Sequence, residues 1–296
     1  MIDRLVLGTV QLGLAYGINN KAGKPDFNGV CDIIKTAFDQ SINRFDTAQA
    51  YGDSEEILGK VFDKLKINKK VKVYSKLDPR LDLCDKFAVE RSIDDSLNRL
   101  KIDQLEGLLI HHEDGLNHWD KGSGGILRGL VAKGVVRLVG ASFYTPQKAF
   151  DALGIDGIDI IQVPANILDR RFKNIGGFTK AEERNKDVFV RSIFLQGLLL
   201  MDQDRVPFSM SDALPYLERF ARIAGDIKLS RKELVFGYAH YAWPRAFIVF
   251  GAETSKQVRE NALLAKCRID GKTYKRIERE LAGAEEKLLN PALWPK

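Results

Sequence analysis

The sequence predicts an α/β fold, a single-domain (β/α)8 barrel of the TIM type, and three observations carry that expectation. Short runs rich in Val, Ile and Leu recur along the chain, and most are apolar on both faces, as in parallel strands covered by helices. Segments with helical periodicity separate them, which is the βα alternation of such a barrel. At about 150 residues per domain a chain of 296 residues would suggest two domains, but α/β barrels of this size are routinely one.

The strand candidates, in order, are "RLVLG" (4–8), "INRFD" (42–46), "VKVYSK" (71–76), "GLLIH" (107–111), "VRLVGAS" (136–142), "DIIQVP" (159–164), "VFVRSIF" (188–194) and "AFIVFGA" (246–252). Helices read at 28–40, 53–65, 85–100, 122–133, 145–153, 211–225, 230–241 and 255–266, and 166–186 reads as helix or loop. The whole chain, 1–296, is expected to form one barrel domain with a C-terminal helical extension. The longest connection, from the seventh strand to the eighth, holds the polar loop "MDQDRVPFSMSD" (201–212), and long barrel loops often shape a substrate site. A doubly wound sheet is the alternative. It would bring G-x-G-x-x-G after its first strand, where "LGTVQLGLAYG" does not match.

Composition bounds the function. Hydrophobic residues make up 45% and charged residues 29%, enough for a sizeable core. Cys31, Cys84 and Cys267 are scattered and odd in number, which suits a reducing cytoplasm and no disulfide framework. No cysteine pair has metal-ligand spacing. "MIDRLVLGTV" enters a strand at once, so no signal peptide is expected, and no apolar run approaches the roughly 18 residues of a membrane span. The net charge of +6 is spread along the chain. Its densest cluster, "KLKINKKVKV" (64–73), reads as a solvated helix end rather than a nucleic-acid surface, although a positive field would attract an anionic ligand. A cytoplasmic protein with a small-molecule substrate and neither nucleic acid nor membrane as partner is the expectation; the oligomeric state stays open.

The chemistry is expected at four strand ends. In "INRFDTAQAYGDSEEILGK" (42–60) an apolar strand ends at Asp46, Tyr51 follows in a short loop, and Asp53-Ser54-Glu55-Glu56 opens a helix whose positive end favours acidic groups. Lys76 ends the third strand and His111 the fourth. In a barrel these ends share one rim. A carbonyl that accepts hydride becomes an alkoxide and needs a proton; a tyrosine can donate it, a lysine ammonium would lower the tyrosine pKa, a carboxylate would hold the lysine, and a histidine could aim the carbonyl. Each residue also has a bland reading: a helix cap, a barrel seal, a solvated lysine, a satisfied structural histidine. Both faces of the fourth strand are apolar, so alternation alone does not choose between His111 and His112.

These stretches resemble the aldo-keto reductase superfamily, in its bacterial members. "FDTAQAYGDSEEILGK" is similar to the family's aspartate–tyrosine signature, "VYSK" to its lysine strand and "LEGLLIHHED" to its histidine strand. "LGTVQLG", "VGAS", "IIQVPAN" and "GAETSKQVRENA" extend the likeness over nearly the whole chain. The resemblance implies an NADPH-dependent (NADPH/NADP+) carbonyl reductase or alcohol dehydrogenase that needs no metal. It implies Asp46, Tyr51, Lys76 and His111 as the catalytic set, with Tyr51 as proton donor. For the cofactor it implies Gly8, Thr9 and Val10 beneath the nicotinamide, with Asp46 beside them. Ser142 and Gln162 would hold its carboxamide, Arg191 and Ser192 follow the seventh strand, and Gly251, Gln257, Glu260 and Asn261 lie on the adenine side. A helix opening at about Ser255 would offer backbone N–H groups to a phosphate.

Three positions depart from the family pattern. Phe143 stands where asparagine is usual, with Asn166 nearby in the sequence. Arg191 stands where an aromatic ring usually stacks on the nicotinamide. Gln257 stands where some members have arginine for the 2′-phosphate. "QVPANILDRRF" and "RSIFLQGLLL" resemble members associated with cell-surface sugar synthesis, which implies sugar or sugar-nucleotide ketones. Phe143, Tyr144, Phe194 and Trp119 are candidates for an apolar pocket or for the core. Two other functions remain open from the sequence: a cofactor-binding regulatory subunit with vestigial chemistry, and a barrel lyase forming a Schiff base on Lys76.

Overall fold

A computed structural model describes residues 2–18, 20 and 23–294. Eight strands, β1 (Leu5–Gly8), β2 (Arg44–Asp46), β3 (Lys72–Lys76), β4 (Leu105–Ile110), β5 (Val136–Ser142), β6 (Ile160–Pro164), β7 (Asp187–Arg191) and β8 (Phe247–Gly251), pair in parallel and in sequence order. The barrel closes where β1 meets β8, with Leu5 opposite Ile248 and Gly8 opposite Gly251. The helices are α1 (Val10–Gly13), α2 (Phe27–Asp39), α3 (Ser54–Leu65), α4 (Lys86–Leu100), α5 (Ser123–Ala132), α6 (Pro146–Ala152), α7 (Arg171–Asn174) and α8 (Gly177–Glu183), then α9 (Leu214–Asp226), α10 (Arg231–Ala242), α11 (Ser255–Leu264), α12 (Gly271–Glu280) and α13 (Glu286–Leu289). The fold is the single (β/α)8 barrel read from the sequence. Among the described residues no helix is long and apolar enough to cross a membrane.

Local chemistry explains the element ends. Asp26 caps α2 by accepting from Gly29 N at 2.7 Å, and Val30, Ile33, Ile34 and Ala37 form the buried stripe expected of a helix lying on a barrel. Ser230 and Glu233 form a reciprocal capping box at the start of α10. The seventh strand stops at Arg191, not at 194, because Ser192 adopts φ 62 and leaves the extended region. The second begins at Arg44, because Ile42 N still closes α2 by donating to Ala37 O.

The first turn of α3 is acidic as expected, but its acids do other work. Asp53 makes no cap; its carboxylate pairs with Lys24 on the loop after β1. Glu55 turns inward, with only 3% of its side chain exposed, and accepts from Ser75 Oγ at 2.6 Å and Arg99 Nη2 at 2.7 Å. A buried carboxylate needs this many donors to offset its lost hydration.

Two apolar clusters result. The larger lies between strands and helices and takes Leu7, Phe45, Val73, Leu108, Ile110 and Val139. Each fully buried large side chain there contributes about 1.5–3 kcal/mol. The smaller fills the barrel interior with Val6, Tyr74, Leu109, Ile160, Phe189 and Val249.

Candidate active site

The interior cluster fixes where the polar residues point. Side chains alternate along a strand, so a residue two positions beyond an interior one faces the barrel axis at the rim. From Val6, Tyr74, Leu109, Ile160, Phe189 and Val249 that step leads to Gly8, Lys76, His111, Gln162, Arg191 and Gly251. His111 therefore shares the interior face of Leu109, whereas Leu108 and Ile110 pack outward against the helices. His112 is more than half exposed and lies 3.6 Å from Asp114.

These residues surround a cavity of about 600 Å³ at the carboxyl ends of the strands. Gly8, Thr9, Val10, Asp46, Tyr51, Lys76, His111, Ser142, Gln162, Arg191, Ser192, Gly251, Gln257 and Asn261 all contribute to its wall. Glu260 does not; it accepts from Lys232, which does, at 3.0 Å. Phe194 and Tyr144 line the cavity, while Phe143 and Trp119 are buried in the outer core. Asn166 is also elsewhere: its Oδ1 caps a turn by accepting from Leu168 N and Asp169 N, and its Nδ2 donates to Ser192 O.

At the floor, Lys76 is 1% exposed. Its ammonium donates to Asp46 Oδ1 at 2.7 Å and to Thr47 O at 2.9 Å, and stands 5.1 Å from the centre of the Tyr51 ring. Gln162 Nε2 donates to Asp46 Oδ2 at 2.7 Å, and Thr9 N and Oγ1 both donate to Asp46 O at 2.9 Å. The Tyr51 ring meets the His111 ring edge-on at 5.7 Å. His111 Nδ1 is buried without a hydrogen-bond partner.

The charges follow from this packing. Burial opposes the Lys76 ammonium, but Asp46 and Tyr51 together outweigh it and the Lys76 pKa is raised. Burial raises the Tyr51 pKa; Lys76 lowers it as expected but only partly offsets the burial, so the phenol is protonated at neutral pH. Burial, then the Lys76 charge, pushes His111 down to about 4, so its imidazole is neutral. A neutral imidazole and a protonated phenol beside a fixed ammonium can together donate hydrogen bonds to an oxygen that gains negative charge.

Some wall residues had no signal in the sequence. Tyr16, on the loop after β1, has its pKa pushed up to about 12 by burial. Lys232 comes from the first turn of α10, and Gln11 from α1. Among the described residues no group of three or more His, Cys, Asp or Glu side chains is placed to hold a metal ion.

A barrel with a polar, cationic floor at its carboxyl rim defines an enzyme-like site, and comparison with known proteins gives the class. The model of the Aldo/keto reductase family matches residues 4–281, and the chain belongs to that family. The aldo-keto reductase YhdN of Bacillus subtilis (strain 168) is 25% identical over 179 residues, a stretch covering 58% of this chain and 52%, about half, of that protein. Among solved structures, the holo form of the aldo-keto reductase AKR11C1 from Bacillus halodurans superposes with a TM-score of 0.77 at 21% identity, covering 94% of this chain and 91% of that one. The glycerol dehydrogenase AKR11B4 from Gluconobacter oxydans gives 0.77 at 24% identity with the same coverage. The two structures share the fold of this chain. The family's chemistry is the oxidoreduction of carbonyls, and its members use nicotinamide cofactors.

Proposed function

We propose that this protein is an NADPH-dependent carbonyl reductase that converts an aldehyde or ketone to an alcohol, with Tyr51 as proton donor. The observation that carries the reading is the buried Lys76, held charged by Asp46 and set 5.1 Å from the Tyr51 ring. That ammonium lowers the cost of a developing tyrosinate as the phenol gives up its proton. His111, neutral and with an unpartnered nitrogen, would hydrogen-bond the carbonyl oxygen and orient it. Asp46 positions Lys76, and Gln162 positions Asp46.

The wall suits a nicotinamide dinucleotide. Asn261 Oδ1 and Gln11 Oε1 are buried acceptors without partners, and a Cβ on Gly251 would stand 2.4 Å from Gln11 Nε2, so this part of the wall is kept clear. Gly8, Thr9, Val10, Ser142, Gln162 and Ser192 would hold the nicotinamide half, with Arg191 at its substrate-facing edge, and Gly251, Gln257 and Asn261 the adenine half. Glu260 would act there through Lys232. When bound, NADPH supplies the hydride. The raised Lys76 pKa speaks against a Schiff-base lyase, which needs a neutral amine.

The test is NADPH oxidation against a carbonyl panel that includes simple aldehydes and keto-sugars, the latter suggested by the resemblance of "QVPANILDRRF" and "RSIFLQGLLL" to members associated with cell-surface sugar synthesis. Turnover by the wild type is expected, and its loss in Tyr51→Phe with NADPH binding retained. A Phe variant within a few-fold of wild type would remove Tyr51 from the role. A wild type that binds NADPH but turns over nothing would favour a regulatory subunit.

A further inference from the structure

Arg191 is the charge in the cavity that nothing on the wall answers. It ends β7 on the interior face, two residues beyond Phe189. Its guanidinium carbon lies 4.2 Å above the centre of the Tyr144 ring, and its Nη2 donates to Phe143 O at 3.1 Å. The ring beneath it is itself fixed: Glu113 accepts from Tyr144 N and Thr145 N, each at 2.9 Å, and so ties the loop after β5 to the loop after β4. The Tyr144 ring occupies one side of the guanidinium and one hydrogen bond uses one of its donors. The other face and the remaining donors are left to the cavity.

The other ionic groups of the wall balance one another or lie apart. Lys76 is neutralised by Asp46 and Lys232 by Glu260. Glu253 follows β8 beside Gln257, whose Oε1 accepts from its backbone N, and it is not among the leading charges acting on Tyr51 or His111. Arg191 is among them, so its field reaches the proton-donor end of the cavity. Among the described residues no carboxylate pairs with it.

We propose that Arg191, held over the Tyr144 ring and without a carboxylate partner, receives an anionic group of the substrate, so that this site acts on carbonyl compounds that carry a carboxylate or phosphate. The proposal rests on the reductase reading above and narrows it to one substrate class. A planar fork already held by a ring and a carbonyl forms charge-assisted, paired hydrogen bonds to such an oxyanion without having to be ordered first. Acidic sugars, sugar phosphates and sugar nucleotides all have this chemistry.

The experiment compares matched pairs within each variant, so that any loss common to both members cancels. Succinic semialdehyde against butanal tests the carboxylate, and glyceraldehyde 3-phosphate against glyceraldehyde tests the phosphate, in wild type, Arg191→Lys and Arg191→Gln. In the wild type the charged member of at least one pair should have a kcat/KM higher by about tenfold or more. That preference should shrink with added salt, fall to about twofold or less in Arg191→Gln, and survive in part in Arg191→Lys. Equilibrium titration with succinate and with inorganic phosphate, followed by intrinsic fluorescence, should show weaker binding of the favoured anion in Arg191→Gln. Equal use of charged and neutral members by the wild type, or a preference that outlives Arg191→Gln, overturns the inference and leaves the reductase reading intact. Failure of the wild type to reduce any carbonyl, charged or neutral, overturns the reductase reading and this inference with it.

Discussion

The Lys76 ammonium is held 2.7 Å from Asp46 Oδ1 in a place where neither group meets bulk water. Removing one partner strands the other. Lys76→Met should destabilise the fold by about 3–5 kcal/mol, because a buried carboxylate then loses its counter-charge and keeps the neutral Gln162 amide as a side-chain hydrogen-bond donor. The double variant Lys76→Met/Asp46→Asn should regain much of that stability and none of the turnover. Urea midpoints and kcat measured side by side would show it. A double variant no more stable than the single one would mean that the ion pair is not where the stability loss arises.

His111 gives a pH signature with a definite sign. Its folded pKa is about 4, below the ordinary value near 6.5. Between these values the unfolded chain binds more protons, so the contribution of His111 to stability is complete above about pH 6.5 and is lost as pH falls toward 4. Wild type should therefore lose more stability than His111→Asn between pH 7 and pH 5. Identical losses in the two proteins would show that His111 is not the responsive group.

The same assignment separates neighbouring histidines in the chemistry. His111→Ala should lower kcat/KM by about 10²-fold or more through an unaimed, unpolarised carbonyl. His112→Ala, exposed beside Asp114, should change it little. A reversed pattern would place the wrong ring against the substrate.

Gly13 lies under the Tyr51 turn. A Cβ there would fall 1.9 Å from Tyr51 O, and Gly52, at φ +58, packs against Gly13 O. Gly13→Ala must push the tyrosine loop aside, so kcat should drop and thermal stability with it. Gly125→Ala in α5, where an added Cβ meets nothing within 4 Å, is the comparison and should be neutral or stabilising by up to about 1 kcal/mol. Full activity in Gly13→Ala would show that the Tyr51 position tolerates displacement.

Lys232, held by Glu260 at the edge of the wall near Gln257, supplies a cation where Gln257 has none. Lys232→Gln should weaken NADPH binding severalfold, leave NADH nearly unchanged, and reduce the salt sensitivity of the NADPH constant. Equal weakening of both cofactors would assign Lys232 a purely structural part.

The strands and the rim residues were legible because both follow from periodicity. β-branched and aliphatic runs mark the barrel, and a polar residue at the end of such a run has little choice but to face the rim. Legibility failed where a side chain's fate depends on neighbours remote in sequence. Phe143 and Trp119 went to the core, Trp119 against Gly124 and Arg128 of α5, and Asn166 went to the bend after β6, where it accepts from Leu168 N and Asp169 N. Glu55 read as a favourable charge at a helix start, yet it is buried, since Ser75, Ser96 and Arg99 converge on it from β3 and α4. Which face of β4 looks inward also had to come from Leu109, since neither face is polar.

The seam between β1 and β8 has a consequence for the newborn chain. The outer edge of β1, the first of the eight strands to be made, is satisfied only by β8 (Phe247–Gly251), the last of the eight. Until then both ends of the growing sheet offer unpaired backbone to any other chain nearby, and that interval is when misassembly threatens most. Gly8 and Gly251 face each other across the same seam and both border the cavity. The cavity is finished only when this seam has closed, and a small molecule that fits it would favour closed barrels over open ones.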